Sequence, residues 1–171
     1  QAIARVLDAH DPYPGVALDR HWNIVIANAA AQRMTAVVPR ELLSLPHNIF
    51  RLGLHPRGIA AHTANFDEWG RYMLRELQRL ADSAVDPAAT ALLDEVRGYP
   101  NVQALLKTPP DAVPSNPLLV PCVLDISGQR LSLFTTLATF GAPRDVTLAE
   151  LTVELFYPAD AATEQALRAM A

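Results

Sequence analysis

Apolar residues along this chain come in short alternating or β-branched runs near both ends and at steps of three and four in the middle. A period of two marks strands, and steps of three and four mark one face of a helix. At the front, Val16–Leu18 and Asn23–Ala27 read as two strands joined around Asp19-Arg20. Asn28 then stands as cap of an alanine-rich helix reaching about Val37, and Pro39 prevents its simple continuation. Asn48–Leu54 reads as a short turn or strand, a helix opens at Pro56, and a long helix follows Asn65, with Glu68 in capping-box spacing. Phe66, Trp69, Met73, Leu77, Leu80 and Ala84 form the apolar stripe of that long helix, while Asp67 and Arg71 pair one turn apart on its wet side. Asp86 caps a further helix with Pro87 at its first position; Leu92, Leu93 and Val96 are its buried face and Gly98 its stop.

The stretch from Pro100 to Pro121 contains Pro109, Pro110, Pro114 and Pro117 and reads as a loop, the most variable and mobile piece. Strands then return. Leu118–Ile126, the turn Ser127-Gly128-Gln129 and Leu131–Phe140 make a hairpin. Glu150–Tyr157 is a further strand, closed by Pro158, and Asp160 caps a helix over Ala161–Met170. Two strands early and three late, with helices between, predict an α+β class: a PAS-like five-stranded antiparallel sheet with helices packed on one face.

Composition narrows the function. A chain of 171 residues, 50% apolar and 19% charged, has the size of one domain with a single core. Its 14 basic and 18 acidic side chains leave a net charge of −4, and no Lys or Arg cluster is placed to follow a phosphate backbone. Cys122 is the only cysteine, so no internal disulfide is available. No apolar run approaches the roughly 20 residues needed to span a bilayer, and no signal-peptide pattern is present, which together predict a cytoplasmic protein. Ile3, Val6 and Leu7 give the first residues an amphipathic face; residues 1–10 read as the tail of a linker helix from something longer, and 11–171 as the domain itself.

Five segments, in order, carry a more specific resemblance: His21-Trp22-Asn23; Asn48 to Gly58; Asn65-Phe66-Asp67-Glu68-Trp69; Phe140 to Leu148; and Glu154 to Asp160. Together they are similar to the ligand-binding domain of MmyB-type transcription regulators, over nearly the whole chain. Phe66 and Ala142 are mild departures. The resemblance implies a PAS-like domain coupled to an XRE-type helix-turn-helix, and an apolar, fatty-acid-like ligand.

On that reading the candidate ligand contacts are Trp22, Ile24 and Ile26, which share strand parity; the helical stripe Phe66, Trp69 and Met73; and Phe134, Thr136 and Phe140 on one face of the fourth strand. Leu133, Thr135 and Leu137 make the other face of that strand, and alternation alone does not say which set points inward. Phe50, Leu54 and Leu155, apolar positions of the similar segments, complete the set. His55 and Arg57, beside a helix start, are candidates for a carboxylate head group; the alternative is that His55 caps the helix Pro56 opens.

Catalysis finds little support. No nucleophile elbow, phosphate loop or His-Glu-x-x-His motif is present, and His55 and His62 lack a third metal ligand. Glu150 and Glu154 share a strand face and read as pointing to solvent or a partner. No enzyme activity and no cofactor are expected beyond a bound fatty acid or similar apolar ligand. The expected partners are that ligand, a second copy in a homodimer, and DNA only through the absent domain, with no membrane. A ligand-responsive switch and a plain dimerisation module remain the two readings.

Overall fold

The computed structural model describes residues 2–43, 46–83, 86–109, 120–139 and 150–171. Its strands are β1 (Gly15–Leu18), β2 (Ile24–Ala27), β3 (Cys122–Ile126), β4 (Gln129–Thr139) and β5 (Thr152–Pro158). All neighbours are antiparallel, in the order β2-β1-β5-β4-β3, so the last strand occupies the centre of the sheet. That order, with helices inserted between β2 and β3, is the PAS arrangement. The helices are α1 (Ala2–Ala9), α2 (Ala29–Thr35), α3 (Ile49–Leu54), α4 (Phe66–Ser83), α5 (Pro87–Arg97), α6 (Pro100–Lys107) and α7 (Ala161–Ala169).

The main core lies between one face of the sheet and the helices of the middle segment. Leu124, Leu131 and Leu133 from the hairpin meet Leu54, Trp69, Leu77, Val96 and Val102 there, and α7 adds Leu167. Helix α1 is the exception to helices on one face. Its Ile3 and Leu7 pack on Ala17 and Val153, which alternate along β1 and β5 with the inward Val16 and Glu154 and so lie on the sheet's other face.

Asn28 holds these layers together. Its carbonyl oxygen accepts from Ala31 N as the α2 cap and from Gly15 N on β1, both at 3.0 Å. Its amide nitrogen donates to Leu7 O at the end of α1 (3.0 Å) and to Tyr13 O (2.9 Å). At 3% exposed it has all four hydrogen bonds that an amide side chain readily makes.

Several expectations change. Asn48–Leu54 is helical: Asn48 makes one bridge to Asn23 and then caps α3, accepting from Phe50 N at 3.0 Å and Arg51 N at 3.3 Å. Pro56 opens no α-helix; it lies in a turn before a 3-10 segment, Ile59–His62. Part of the proline-rich stretch is helix α6, because Pro100 sits at its first turn with φ already set, and Val102 and Leu105 are buried one turn apart. Asn65 completes no close capping box. Its carbonyl oxygen accepts from Val123 N (3.0 Å) and its amide nitrogen donates to Pro121 O (2.7 Å), tying the start of α4 to β3, while Glu68 stands at 3.5 Å.

The helix caps at Asp86 and Asp160 are as expected: Asp86 accepts from Ala88 N at 2.9 Å and Asp160 from Thr163 N at 2.7 Å. The hairpin turn is the two residues Ser127 and Gly128, with φ of 53° and 76°, the left-handed pair that the twist of β3 and β4 favours. Ala84, Leu118, Phe140 and the Gly141 to Asp145 loop lie outside the described residues.

Candidate functional site

Between the sheet and the middle helices lies a cavity of about 100 Å³. Val16, Ile24, Cys122, Leu124, Glu154 and Phe156 contribute its sheet side; Ala31, Met34 and Thr35 of α2, Leu52 and Gly53 of α3, Ile59, and Trp69 and Met73 of α4 contribute the rest. Local structure places these side chains. The Asn65 bonds to β3 fix where α4 begins, so Trp69 and Met73 follow one turn apart over Cys122 and Leu124. Gly53 lets α3 come close: a Cβ there would stand 2.9 Å from Met73 Cε.

Every wall is apolar save for Thr35 and one charged group. Glu154, on the central strand, is 8% exposed, and its Oε2 has no hydrogen-bond partner among the described residues. Burial raises its pKa to about 7, against a smaller lowering by the Thr135 hydroxyl. Cys122 also lines the cavity, but burial, and secondarily the Glu154 charge, push its thiol up to about 12, so it is no nucleophile at neutral pH. Tyr72 on α4 is raised as well, by burial first and then by Glu76 and Glu154. The cavity is thus an apolar hollow with one carboxyl on its sheet side.

Of the residues expected from sequence, Ile24, Trp69 and Met73 line the cavity. Phe50 and Leu54 are core beneath it, at 3% and 0% exposed. Phe66 is half-buried against the same core. Trp22 does not continue the strand. Its φ of 64° turns it out of β2, and its ring lies 5.4 Å from that of Phe50.

Others go elsewhere. A bulge between Ala17 and Leu18 breaks the parity of β2, pairing Ile26 with Ala17 on the outer face while Ile24 stays inside. Phe134, Thr136 and Leu155 are outer-face residues: Thr136 pairs with Leu155, Phe134 stacks on Tyr157 at 5.4 Å, and Leu155 packs with the α1 cluster. The inward set on β4 is that of Leu131, Leu133 and Thr135. Phe140 lies outside the described residues.

His55 and Arg57 do not reach the cavity. His55 ends α3, its Nδ1 accepts from Arg57 N at 3.0 Å, and its ring meets Tyr99 edge-on. Burial and then the Arg57 charge lower its pKa. The Arg57 guanidinium is bonded to Glu41, and both side chains are exposed.

Glu154 is the residue that sequence reasoning misplaced, since Glu150 is exposed outside the strand and Glu154 is buried inside it. The available signal was a single charge within Thr152-Val-Glu-Leu-Phe-Tyr, a run otherwise uncharged and mostly apolar on both faces.

A larger cleft of about 260 Å³ opens beside α5, but its charges already pair: His21 Nδ1 is 3.0 Å from Asp86, and Arg51 is bonded to Glu95 at 2.7 Å. The hollow between sheet and helices, with the more apolar lining, is the better candidate for a ligand.

Residues 1–170 match the model of the MmyB-like transcription regulator ligand binding domain. The chain belongs to this family. No curated protein matches the sequence. Among solved structures, the MmyB-like chain is similar to the PAS domain from Bordetella pertussis BvgS, with a TM-score of 0.39 and 16% identity over 99% of this chain and 92% of that one. The strand order, and not this likeness, carries the fold assignment. Among the described residues no helix is long and apolar enough to cross a membrane.

Proposed function

We propose that this domain is the sensor of a bacterial transcription regulator: an apolar small molecule enters the cavity between sheet and helices, and its occupancy biases an attached helix-turn-helix DNA-binding domain. The carrying observation is the apolar hollow between sheet and helices, walled by Trp69, Met73 and Met34 among others. Methionines accommodate flexible chains. Met34 also borders a second hollow of about 230 Å³ toward α7.

The route outward is short. Val16 and Glu154 face the cavity, while their neighbours Ala17 and Val153 hold α1, the helix that would join the DNA-binding domain. A ligand that spreads β1 from β5 shifts the seat of α1 across one thickness of sheet, and the linkage is reciprocal.

Native mass spectrometry of the purified protein, followed by denaturing extraction, tests this. A stoichiometric apolar molecule, and a melting temperature raised by its return, is the expected result. An empty protein that no apolar compound stabilises overturns it.

One observation favours a second reading, a dimerisation module. Val6 of α1 and Val25 and Ile26 of edge strand β2 are 42%, 49% and 36% exposed. A homodimer would cover such positions. Light scattering of the ligand-free and loaded protein separates the two: a dimer indifferent to ligand supports the module.

A further inference from the structure

Among the described residues the charge in the cavity has no complement. Glu154 Oε2 is buried without a partner among the described residues, on the central strand, where the wall, Thr35 and Cys122 aside, is methyl, thioether and aromatic carbon. Among the described residues no Arg, Lys or His lines the space. A buried acceptor in this state is unfavourable unless something donates to it, and an uncompensated carboxylate more so. Among the described residues the fold has not removed the problem by hydrogen bonding at Oε2, and the nearby Thr135 hydroxyl offsets the burial of the carboxyl only in part.

We infer that Glu154 is the residue that recognises the end group of the ligand, and that this end group is a hydrogen-bond donor, a hydroxyl or an ammonium, on an apolar body. The assignment rests on the sensor reading above and narrows its ligand class. A donor at Glu154 Oε2 fills the vacant acceptor, while the apolar body lies against Trp69, Met73 and Phe156. A carboxylate fits worse: above neutrality it brings a second negative charge into an apolar site that no cation lines among the described residues. His55 and Arg57, which would have received an acid, lie outside the lining.

The raised pKa of Glu154 agrees with an unpartnered carboxyl and makes the preference depend on pH. From the surrounding elements the titratable groups that interact with it are Cys122 on β3 and Tyr72 on α4, both held neutral by raised pKa values. Below neutrality Glu154 carries a proton and itself becomes a donor, so discrimination against a carboxylate falls.

The test compares octanol, octylamine and octanoate on the purified protein by calorimetry, at about pH 8, well above the Glu154 titration. Octanol and octylamine should bind at least about tenfold more tightly than octanoate, the size expected for a hydrogen bond to a charged group. Glu154→Leu should erase the preference while all three still bind. Glu154→Gln, whose amide both donates and accepts, should bring octanoate to within about threefold of octanol. Both variants remove a buried charge, and circular dichroism verifies their fold; the comparison of three ligands on the parent needs neither.

Octanoate binding to the parent as tightly as octanol overturns the end-group assignment and leaves the cavity as a sensor site. A preference that survives Glu154→Leu does the same. Binding of none of the three overturns the sensor reading, and the assignment falls with it.

Discussion

The two faces of the sheet are built from the same strands yet are chemically opposite. On the outer face, Ala17 and Val153 meet Ile3 and Leu7 of α1, a small contact with 0%, 1%, 5% and 1% of each residue exposed. On the inner face, one residue along each strand, Val16 and Glu154 border a hollow with a carboxyl oxygen left over. Close packing is what stability alone would select. A void with an unsatisfied acceptor is costly, and such costs concentrate at functional sites. The closed face reads as attachment and the open one as reception.

The contrast breaks most severely at Asn28, which bonds α1, β1 and α2 at once. Asn28→Ala leaves several buried groups without partners and should lower stability by about 3–5 kcal/mol, measured by urea unfolding. A loss under about 1 kcal/mol would show that the two layers are held independently.

Next in size is the inner face's dependence on pH. The folded pKa of Glu154, about 7, lies above its ordinary value of 4.5. For a raised carboxyl the stability contribution is fully present below about pH 4.5 and is lost as pH rises toward 7. The difference in unfolding free energy between the parent and Glu154→Gln should therefore change by roughly 3 kcal/mol over that window, the parent gaining as the solution is acidified. A flat difference would mean that Glu154 finds a partner in solution.

Leu7→Ala addresses the outer face. It should cost about 2–3 kcal/mol by loss of buried methyl groups, while affinity for a cavity ligand changes little. A fall in affinity larger than the fall in stability would show that α1 shapes the cavity directly. The smallest effect belongs to Arg57→Ala: its exposed pair with Glu41 should contribute under about 1 kcal/mol, and ligand binding should not change.

The strands, the sheet class and the caps at Asn28, Asp86 and Asp160 were legible because alternation and capping are local signals. The stripe of α4 was legible for the same reason, and Trp69 and Met73 do reach the cavity. What escaped depended on register. Ile26 moved to the outer face through one bulge, and the face of Phe134 and Thr136 was settled by pairing with β5, which no run of β4 residues encodes. Helix α6 was obscured by the prolines around it, although Pro100 at a first turn favours a helix. His55 and Arg57 look like anion ligands by type; Tyr99 and Glu41, far away in sequence, determine otherwise. Glu154 was hidden because a central strand has no solvent side to receive its charge.

Asn28 also limits how the sequence can drift. Aspartate offers the oxygens but not the donors toward Leu7 O and Tyr13 O, glutamine sets the amide one methylene too far out, and serine reaches neither pair. Among the twenty side chains only asparagine meets all four demands at this spot. A saturation library selected for folded protein should leave that codon almost unvaried, while Glu154, which the fold does not need, changes freely until selection asks for response to the ligand.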